Sequence, residues 1–596
     1  MAASSIDEAD MPVWNLDDLY PGMESAELNR DIEVGAAEAK AFEESWKGKL
    51  DVALGDDKLG GLIAEFEALQ DRLGRIGSYA GLLYASDTSD PVRGKFYGDI
   101  QQKLTEVSQR LLFFGLELNR ITADSLEAGY ARDEKLAYYE PWLRDLRLEK
   151  PHQLDDRIEE LFQEKALTGS AAFNRLFDET MVGLRFEVDG EKLPAEPTFN
   201  LLQDPDRSKR KAAFGSLVET FSSHLQTFTL ITNTLAKDKE IEDRWRDFSD
   251  VADSRHLANR VEREVVDALV SSVTESFERI SHRYYALKAN WLGLEKLEAW
   301  DRNAPLPQAP DNQIGWREAQ DIVLEAYSGF SPQMADVASR FFDNGWIDAP
   351  SRPGKAPGAF AHPTVPSAHP YVLLNYLGKP RDVMVLAHEL GHGVHQVLAA
   401  EQGALMASTP LTLAETASVF GEMLTFQSLL GKTTDKASRK AMLAQKAEDM
   451  INTVVRQIAF YNFERKVHET RRNGELTTQD INAHWLSVQG ESLGHAVALN
   501  EGYETFWCYI PHFIHSPFYV YAYAFGDCLV NSLYAVYQNA ESGFQDAYFD
   551  MLRAGGSKHH SELLAPFGLD ASDPGFWNKG LAVIEGIIDE LEQMET

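Results

Sequence analysis

Residues 382–398 read DVMVLAHELGHGVHQVL and combine apolar residues with three histidines and one glutamate. The apolar residues recur at helical spacing and predict a helix that Asp382 caps. Residues four apart lie one turn apart on nearly the same helix face, so His388 and His392 can both reach one metal ion. Neutral imidazole is a good zinc ligand. Glu389, beside the first histidine, is placed to take a proton from a zinc-activated water.

A zinc site of this kind needs a third protein ligand. The metzincin pattern is excluded, because it requires glycine where His395 stands and histidine where Leu398 stands. His395 is itself a rival ligand, since it lies nearly in line with His388. Three histidines on one short helix would leave the metal poorly enclosed. A carboxylate from a second helix completes a tetrahedral site better and leaves the fourth position for water.

Glu415 is the natural candidate for that carboxylate, because residues 408–418 predict a new helix that begins near Thr412. Spacing leaves a second interpretation open. Thr412 and Glu415 also fit a capping box, which would direct the carboxylate back to the helix N-terminus. Glu401 and Glu422 are weaker alternatives, and Glu422 is better placed for a hydrogen bond to a ligand histidine.

The rest of the chain is predicted to be mainly α-helical. Apolar residues recur in steps of three and four within residues 62–76, 266–280 and 577–591. Strand-like or irregular backbone is predicted at 184–197 and in the run from 350 to 376, whose β-prone end, 371–376, leads into the metal helix. We therefore expect a small β-sheet beside that helix.

Charge and cysteine content exclude several classes of protein. The 596 residues include 57 basic and 93 acidic side chains, a formal charge of −36, which would repel nucleic acid and anionic membranes. The two cysteines are too few for a disulfide framework and indicate a reducing compartment. Residues 1–11 lack the features of a secretory signal, and no run is long and apolar enough to span a membrane. A cytoplasmic location is expected.

Several motifs together resemble oligoendopeptidase F and its relatives in the thimet oligopeptidase family. They are the runs GAFAHPTVP at 358–366 and HPY at 369–371, the metal helix, and ETAS at 415–418. The N-terminal WNLDDLYP at 14–21 and the C-terminal GGS at 555–557 and Phe576-Trp577 extend the resemblance over nearly the whole chain.

The resemblance implies a two-lobed helical ellipsoid with a deep central channel and zinc at its floor. The irregular region 187–197 predicts the boundary between a helical N-terminal oligopeptidase F-type region, 1–195, and a zinc metallopeptidase catalytic domain, 196–596. Carried over residue by residue, the resemblance implies one zinc ion per chain on His388, His392 and Glu415, with Glu389 as general base. His395 matches a family position that is not a ligand.

The segment 510–523 resembles the family region that supplies a histidine and tyrosines to stabilise the oxyanion. His512 is the best match for the histidine. We favour Tyr519 and Tyr523, one helical turn apart, over Tyr521. Residues 373–376 are further expected to pair with an extended peptide as an edge strand does.

The function implied is that of a zinc-dependent metalloendopeptidase, an oligoendopeptidase that hydrolyses internal bonds of short peptides. Two alternatives stay open at this point. One is a zinc carboxypeptidase or dipeptidase, and the other is a non-catalytic helical peptide-binding protein. Short peptides are the expected partners, and the sequence does not define the oligomeric state.

Overall fold

The structure is a computed structural model that describes residues 11–306, 313–540 and 542–595. Residues 1–10, on which the expectation about a secretory signal mainly depends, lie outside the described part. The prediction of a mainly α fold with small sheets is confirmed. In the described ranges, no helix is both long enough and apolar enough to cross a bilayer.

The helices are numbered along the chain: α1 (Ala26–Trp46), α2 (Leu50–Gly55), α3 (Leu59–Ser86), α4 (Pro91–Arg120), α5 (Ala123–Tyr130), α6 (Glu134–Tyr138), α7 (Glu140–Leu146), α8 (Asp156–Ala166), α9 (Ser170–Gly183), α10 (Ala195–Asn200), α11 (Arg207–Trp245), α12 (Asp253–Ala258), α13 (Arg263–Glu275), α14 (Arg283–Trp291), α15 (Trp316–Phe330), α16 (Pro332–Asp343), α17 (Pro380–Ala399), α18 (Leu411–Ala414), α19 (Ser418–Lys432), α20 (Lys436–Thr453), α21 (Val455–Arg471), α22 (Thr478–Leu493), α23 (His512–His515), α24 (Tyr521–Asn539), α25 (Phe544–Arg553), α26 (His560–Leu564) and α27 (Pro574–Gln593). The strands are β1 (Phe186–Val188), β2 (Glu191–Leu193), β3 (Leu297–Glu298), β4 (Ile347–Pro350), β5 (Phe360–His362), β6 (Tyr371–Tyr376) and β7 (Val497–Ala498).

The chain folds into two compact units, each built from three separate segments. The first unit contains the described residues of Met1–Lys150, Asp311–Lys432 and Asn539–Gly568. The second contains those of Pro151–Pro310, Thr433–Gln538 and Leu569–Thr596. The boundary predicted at residue 195 separates two continuous stretches of sequence, whereas each compact unit combines three segments. That boundary stays a prediction.

In the first unit, a three-stranded sheet lies beside helix α17. Strand β6 is its central strand, parallel to β4 and antiparallel to β5. The strand predicted at 371–376 is confirmed, but the expectation that it is an edge strand is wrong. Its side chains are buried at every position except Asn375, and such an apolar run is typical of a strand covered on both faces and paired on both edges.

The N-terminal motif at 14–21 packs onto this sheet. The ring of Trp14 meets that of Tyr371 edge-on, with ring centroids 5.9 Å apart. The hydroxyl of Tyr371 donates to the carbonyl oxygen of Asn15 at 2.8 Å, and the Asn15 N–H donates to Gly345. The motif therefore covers the sheet that supports α17. A second apolar cluster of this unit joins α1, α3 and α4 around Phe42, Phe66 and Phe114.

The second unit is helical, with two short two-stranded sheets, β1 with β2 and β3 with β7. Its longest helix, α11, packs on α9, on the β1 strand and on α21. The irregular backbone predicted at 184–197 is the β1–β2 hairpin followed by the start of α10. The predicted C-terminal helix is α27, which Asp573 caps by accepting a hydrogen bond from the Gly575 N–H.

Candidate active site

Helix α17 presents its histidines because its apolar residues bury the opposite faces. Val383, Leu386, Leu390 and Val394, spaced by three and four residues, have no solvent exposure. The helix begins at Pro380, two residues earlier than the predicted cap Asp382. Proline is well suited to the first helical position because its backbone nitrogen has no hydrogen to leave unpaired there. The Asp382 carboxylate instead accepts hydrogen bonds from the N–H groups of Leu377 and Lys379.

Three candidate ligands converge in the first unit. The Nε2 atoms of His388 and His392 each lie 3.4 Å from Oε2 of Glu415. One potential ligand atom from each residue falls within 4.8 Å of the others. Two atoms that bind one zinc ion at about 2.0–2.1 Å with tetrahedral geometry are separated by about 3.4 Å. The donor set and its spacing therefore fit a zinc ion.

Glu415 reaches this position from just beyond the short helix α18. The helix is capped at Pro410 and ends at Ala414, so that Glu415 is its C-terminal cap residue. The capping-box interpretation of Thr412 and Glu415 is therefore wrong, since that box would place the glutamate in the first turn. Instead, the buried hydroxyl of Ser418 donates to Oε2 of Glu415 at 2.5 Å and orients the carboxylate.

The backbone of the 415–418 segment packs directly against α17 at Gly391. A Cβ atom at Gly391 would lie 2.4 Å from the carbonyl oxygen of Ala417 and 2.6 Å from the Cα of Ser418. Helix α19, which starts at Ser418, packs extensively along α17. The glycine inside the HELGH run is thus required by the packing that delivers Glu415.

His388 has a second partner that fixes its ring. Nδ1 of His388 lies 3.3 Å from Oε2 of Glu422, and the backbone of Ala414 acts to raise the pKa of His392. A hydrogen on Nδ1 of His388 leaves the Nε2 lone pair free for a metal. Glu422 thus occupies the supporting role that its position in the sequence indicated.

The electrostatics of the cluster favour a positive charge. Burial lowers the pKa of His388, but the hydrogen bond that its ring donates to Glu422 and the charges of Glu415 and Glu422 outweigh burial and raise it to about 9. Burial lowers the pKa of His392 to about 4. The carboxylates thus stabilise one cation here, which can be a proton or a metal ion.

Glu389 points to the same region from a buried position, with 7% of its surface exposed. Burial, together with the nearby charge of Glu415, raises its pKa to about 7, although the charge of His388 acts in the opposite direction. The backbone of Ala361, on strand β5, acts to lower the pKa of this carboxyl group. A carboxyl group whose pKa lies near neutrality is well matched to proton transfer.

His395 is separate from the convergent ligands. It is buried, and its Nε2 lies 3.2 Å from the hydroxyl of Thr409. Burial lowers its pKa to about 4, so the ring is neutral and serves packing and hydrogen bonding.

His512, Tyr519 and Tyr523 are brought together in the second unit, whereas the histidines of α17 belong to the first. Nε2 of His512 lies 3.1 Å from the hydroxyl of Tyr523. The ring of Tyr519 stacks near His512, and its centroid is 5.3 Å from that of Tyr523. All three side chains are partly exposed. Tyr521, by contrast, is fully buried, and its hydroxyl is bound by His256 and Asn259.

Sequence reasoning missed several supporting groups. Ser418 could have been found, because it lies three residues after Glu415 in the ETAS run. Tyr327, whose hydroxyl donates to the carbonyl oxygen of Ala387 on α17, comes from the distant helix α15 and has no local signal. Ala361 acts through its backbone, which no side-chain pattern reveals.

A mainly helical chain with a His-Glu-x-x-His helix and a converging third carboxylate has the features of a metallopeptidase. The sequence profile described as "Peptidase family M3" matches residues 200–583, and the profile described as "Oligopeptidase F" matches residues 117–186. The chain belongs to peptidase family M3 and is a metalloendopeptidase.

Relatives of similar length support this membership. Oligopeptidase PepF of Bacillus subtilis (strain 168) is 26% identical over 594 residues, 98% of this chain and 87% of that protein. Group B oligopeptidase PepB of Streptococcus agalactiae is 26% identical over 534 residues, 88% of each chain. The crystal structure of oligoendopeptidase-F from Enterococcus faecium has the same fold, with a TM-score of 0.69, 21% identity and coverage of 96% of this chain and 99% of that one.

Proposed function

We propose that the protein hydrolyses internal bonds of short peptides with one zinc ion per chain, held by His388, His392 and Glu415. The observation that supports this most directly is the pair of 3.4 Å separations between Glu415 Oε2 and the two histidine Nε2 atoms. Two imidazoles and one carboxylate are a typical ligand set for catalytic zinc. Two of the relatives are named as oligopeptidases, which supports short peptides as the substrates.

In this proposal, bound zinc supplies a Lewis acid that polarises both the substrate carbonyl and the attacking water. Glu389 accepts a proton from that water on its carboxylate and passes the proton to the nitrogen of the leaving amine. Glu422 holds the ring of His388 so that its Nε2 faces Oε2 of Glu415, where the two groups would hold zinc together.

We assign His512, Tyr519 and Tyr523 to stabilisation of the oxyanion that forms when water attacks the carbonyl. Hydroxyl and imidazole N–H groups can donate hydrogen bonds to such an anion. The 3.1 Å contact between His512 and Tyr523 links two of these donors, and their partial exposure leaves them accessible. The buried Tyr521 is an anchor for its helix rather than a donor to substrate.

A reducing, cytoplasmic location belongs to the same proposal. Cys508 and Cys528 are both free and buried, and burial raises the pKa of each thiol. Neither is placed in a disulfide, as is usual for proteins of reducing compartments. We also retain residues 1–195 and 196–596 as the proposed N-terminal region and catalytic domain.

The experiment that tests the proposal uses a quenched fluorogenic peptide blocked at both ends, with products identified by mass spectrometry. We expect cleavage at an internal bond, loss of turnover after treatment with a chelator, and recovery on addition of Zn²⁺. Cleavage only of peptides with a free terminus would instead identify a carboxypeptidase or dipeptidase. Binding of peptides without turnover by the zinc-loaded protein would identify a peptide-binding protein.

A further inference from the structure

A left-handed residue lies immediately before Tyr519. Residues 516–520 form the turn between α23 and α24, and Phe518 within it has φ of +61°. An L residue other than glycine adopts this conformation only where the surrounding structure holds it there. Phe518 is not at a free surface, because its side chain has no solvent exposure.

The turn is held from α21 by Glu464. Its Oε1 atom accepts a hydrogen bond from the Phe518 N–H at 2.8 Å. The Phe518 ring packs between Tyr461 and His468 of the same helix, with centroid distances of 5.9 and 4.9 Å. Backbone and ring of Phe518 are thus both fixed against one face of α21.

The carboxyl group of Glu464 is costly to bury. Only 2% of its surface is exposed, and its Oε2 atom has no hydrogen-bond partner among the described residues. Burial raises its pKa to about 8, although the Phe518 N–H and the charges of Arg255 and Lys239 act in the opposite direction. A buried polar group of this kind is retained where its one hydrogen bond serves a purpose beyond general stability.

Two further contacts, made by residues outside α21, hold the turn as well. Nε of Arg255 donates to the carbonyl oxygen of Pro517 at 3.1 Å. Asn259 donates to the hydroxyl of Tyr521 at 2.8 Å. Tyr519 directly follows Phe518 and lies between these fixed points, so the backbone at Phe518 determines its direction.

We propose that Glu464 is a positioning residue for the peptidase reaction: by accepting the hydrogen bond of the Phe518 N–H, it maintains the left-handed turn that sets the Tyr519 ring in place beside the rings of His512 and Tyr523. This inference rests on the proposed role of these three side chains at the oxyanion. A misplacement of about 1 Å in such a group can lower the rate by about 10²-fold. Glu464 therefore affects the transition state without contacting the substrate.

The test compares three variants in the zinc-loaded enzyme. Glu464→Met has nearly the same shape but offers the Phe518 N–H only a weak sulfur acceptor, and we expect kcat to fall by about 10²-fold with KM nearly unchanged. Glu464→Gln keeps an acceptor at the same distance and is expected to retain the kcat of the wild type. Glu464→Asp keeps the carboxyl but withdraws it by about 1.5 Å. If Glu464→Met does not fold, Glu464→Asp serves in its place, with a smaller loss of kcat.

A double-mutant cycle separates positioning from a general structural effect. In a Tyr519→Phe/Tyr523→Phe background, the Glu464 substitution is expected to cause little further loss of kcat. The inference would be overturned if the losses of kcat from the Glu464 and the tyrosine substitutions multiplied in full. It would also be overturned if the Glu464 substitution alone left kcat unchanged. Either result would leave the proposed function intact. Full activity of the Tyr519→Phe/Tyr523→Phe enzyme would overturn the role of the tyrosines themselves, and the inference with it.

Discussion

Gly391 lies so close to Ala417 that a Cβ atom on the glycine would be 2.4 Å from the alanine carbonyl oxygen. Glu415 is two residues before Ala417, so this contact governs where the third candidate ligand stands. Gly391→Ala is expected to push the 415–418 segment away from α17 and to lower zinc affinity. Overpacking of this kind costs about 1–3 kcal/mol of stability.

Zinc content by mass spectrometry and thermal unfolding would both measure this effect. Gly98→Ala in α4 is the matched control, because Gly98 is exposed and its added methyl group would meet nothing within 4 Å. The control should bind zinc normally and gain about 0.5–1 kcal/mol in stability. Normal zinc content in Gly391→Ala would refute the packing explanation.

Glu389→Gln should retain zinc and lose most of its activity. The amide cannot accept the proton of the attacking water, and a general base contributes about 10²–10⁴-fold to a rate. Turnover of a blocked peptide and zinc stoichiometry should be measured on the same preparation. Glu401→Gln, a substitution of the same kind close behind α17, is the control and should be fully active. Substantial hydrolysis by Glu389→Gln would remove Glu389 from the mechanism.

Glu415→Ala should lose zinc, whereas Glu422→Gln should only weaken its binding. The first variant removes a proposed ligand, and the second changes the partner of His388, whose loss typically costs about 10–100-fold in metal affinity. Competition with a chromogenic chelator gives both affinities. Zinc should raise the unfolding temperature of the wild type but not that of Glu415→Ala. Equal affinities for the two variants would contradict the assignment of Glu415.

His256 should make the second unit less stable in acid. Burial lowers its pKa from an ordinary 6.5 to about 4 in the folded chain. Below pH 6.5 the unfolded chain takes up a proton that the folded chain does not. The contribution of His256 to the free energy of unfolding is therefore fully present above pH 6.5. It is lost as the pH falls towards 4, by about 1.4 kcal/mol per pH unit.

Denaturant unfolding of the wild type and of His256→Asn between pH 4 and 7 would test this dependence. Asparagine does not titrate, and its amide can still hydrogen-bond the Tyr521 hydroxyl that His256 contacts at 3.1 Å. The difference in unfolding free energy between the two proteins should therefore shrink or reverse on acidification. Parallel stability profiles over this range would show that His256 is not the group responsible.

Local periodicity was enough to predict the helices and the metal-binding face of α17. The spacing of His388 and His392 fixes their relative direction because helix geometry is set by the backbone. The same holds for the β6 strand, whose β-prone composition is local. The resemblance to a known family then indicated Glu415, where spacing alone left a capping box equally open.

Only the tertiary structure decided how distant segments meet. Whether β6 has a free edge depends on β4 and β5 flanking it, and its own residues do not specify both partners. The convergence of Glu415 on α17 depends on a glycine that permits backbone contact and on the buried Ser418. Likewise, the hydrogen bond between Phe518 and Glu464 joins the turn before α24 to helix α21, and packing brings these two segments together. Such contacts depend on the free energy of burying whole surfaces, whereas short-range pattern reports only which face of each element is apolar.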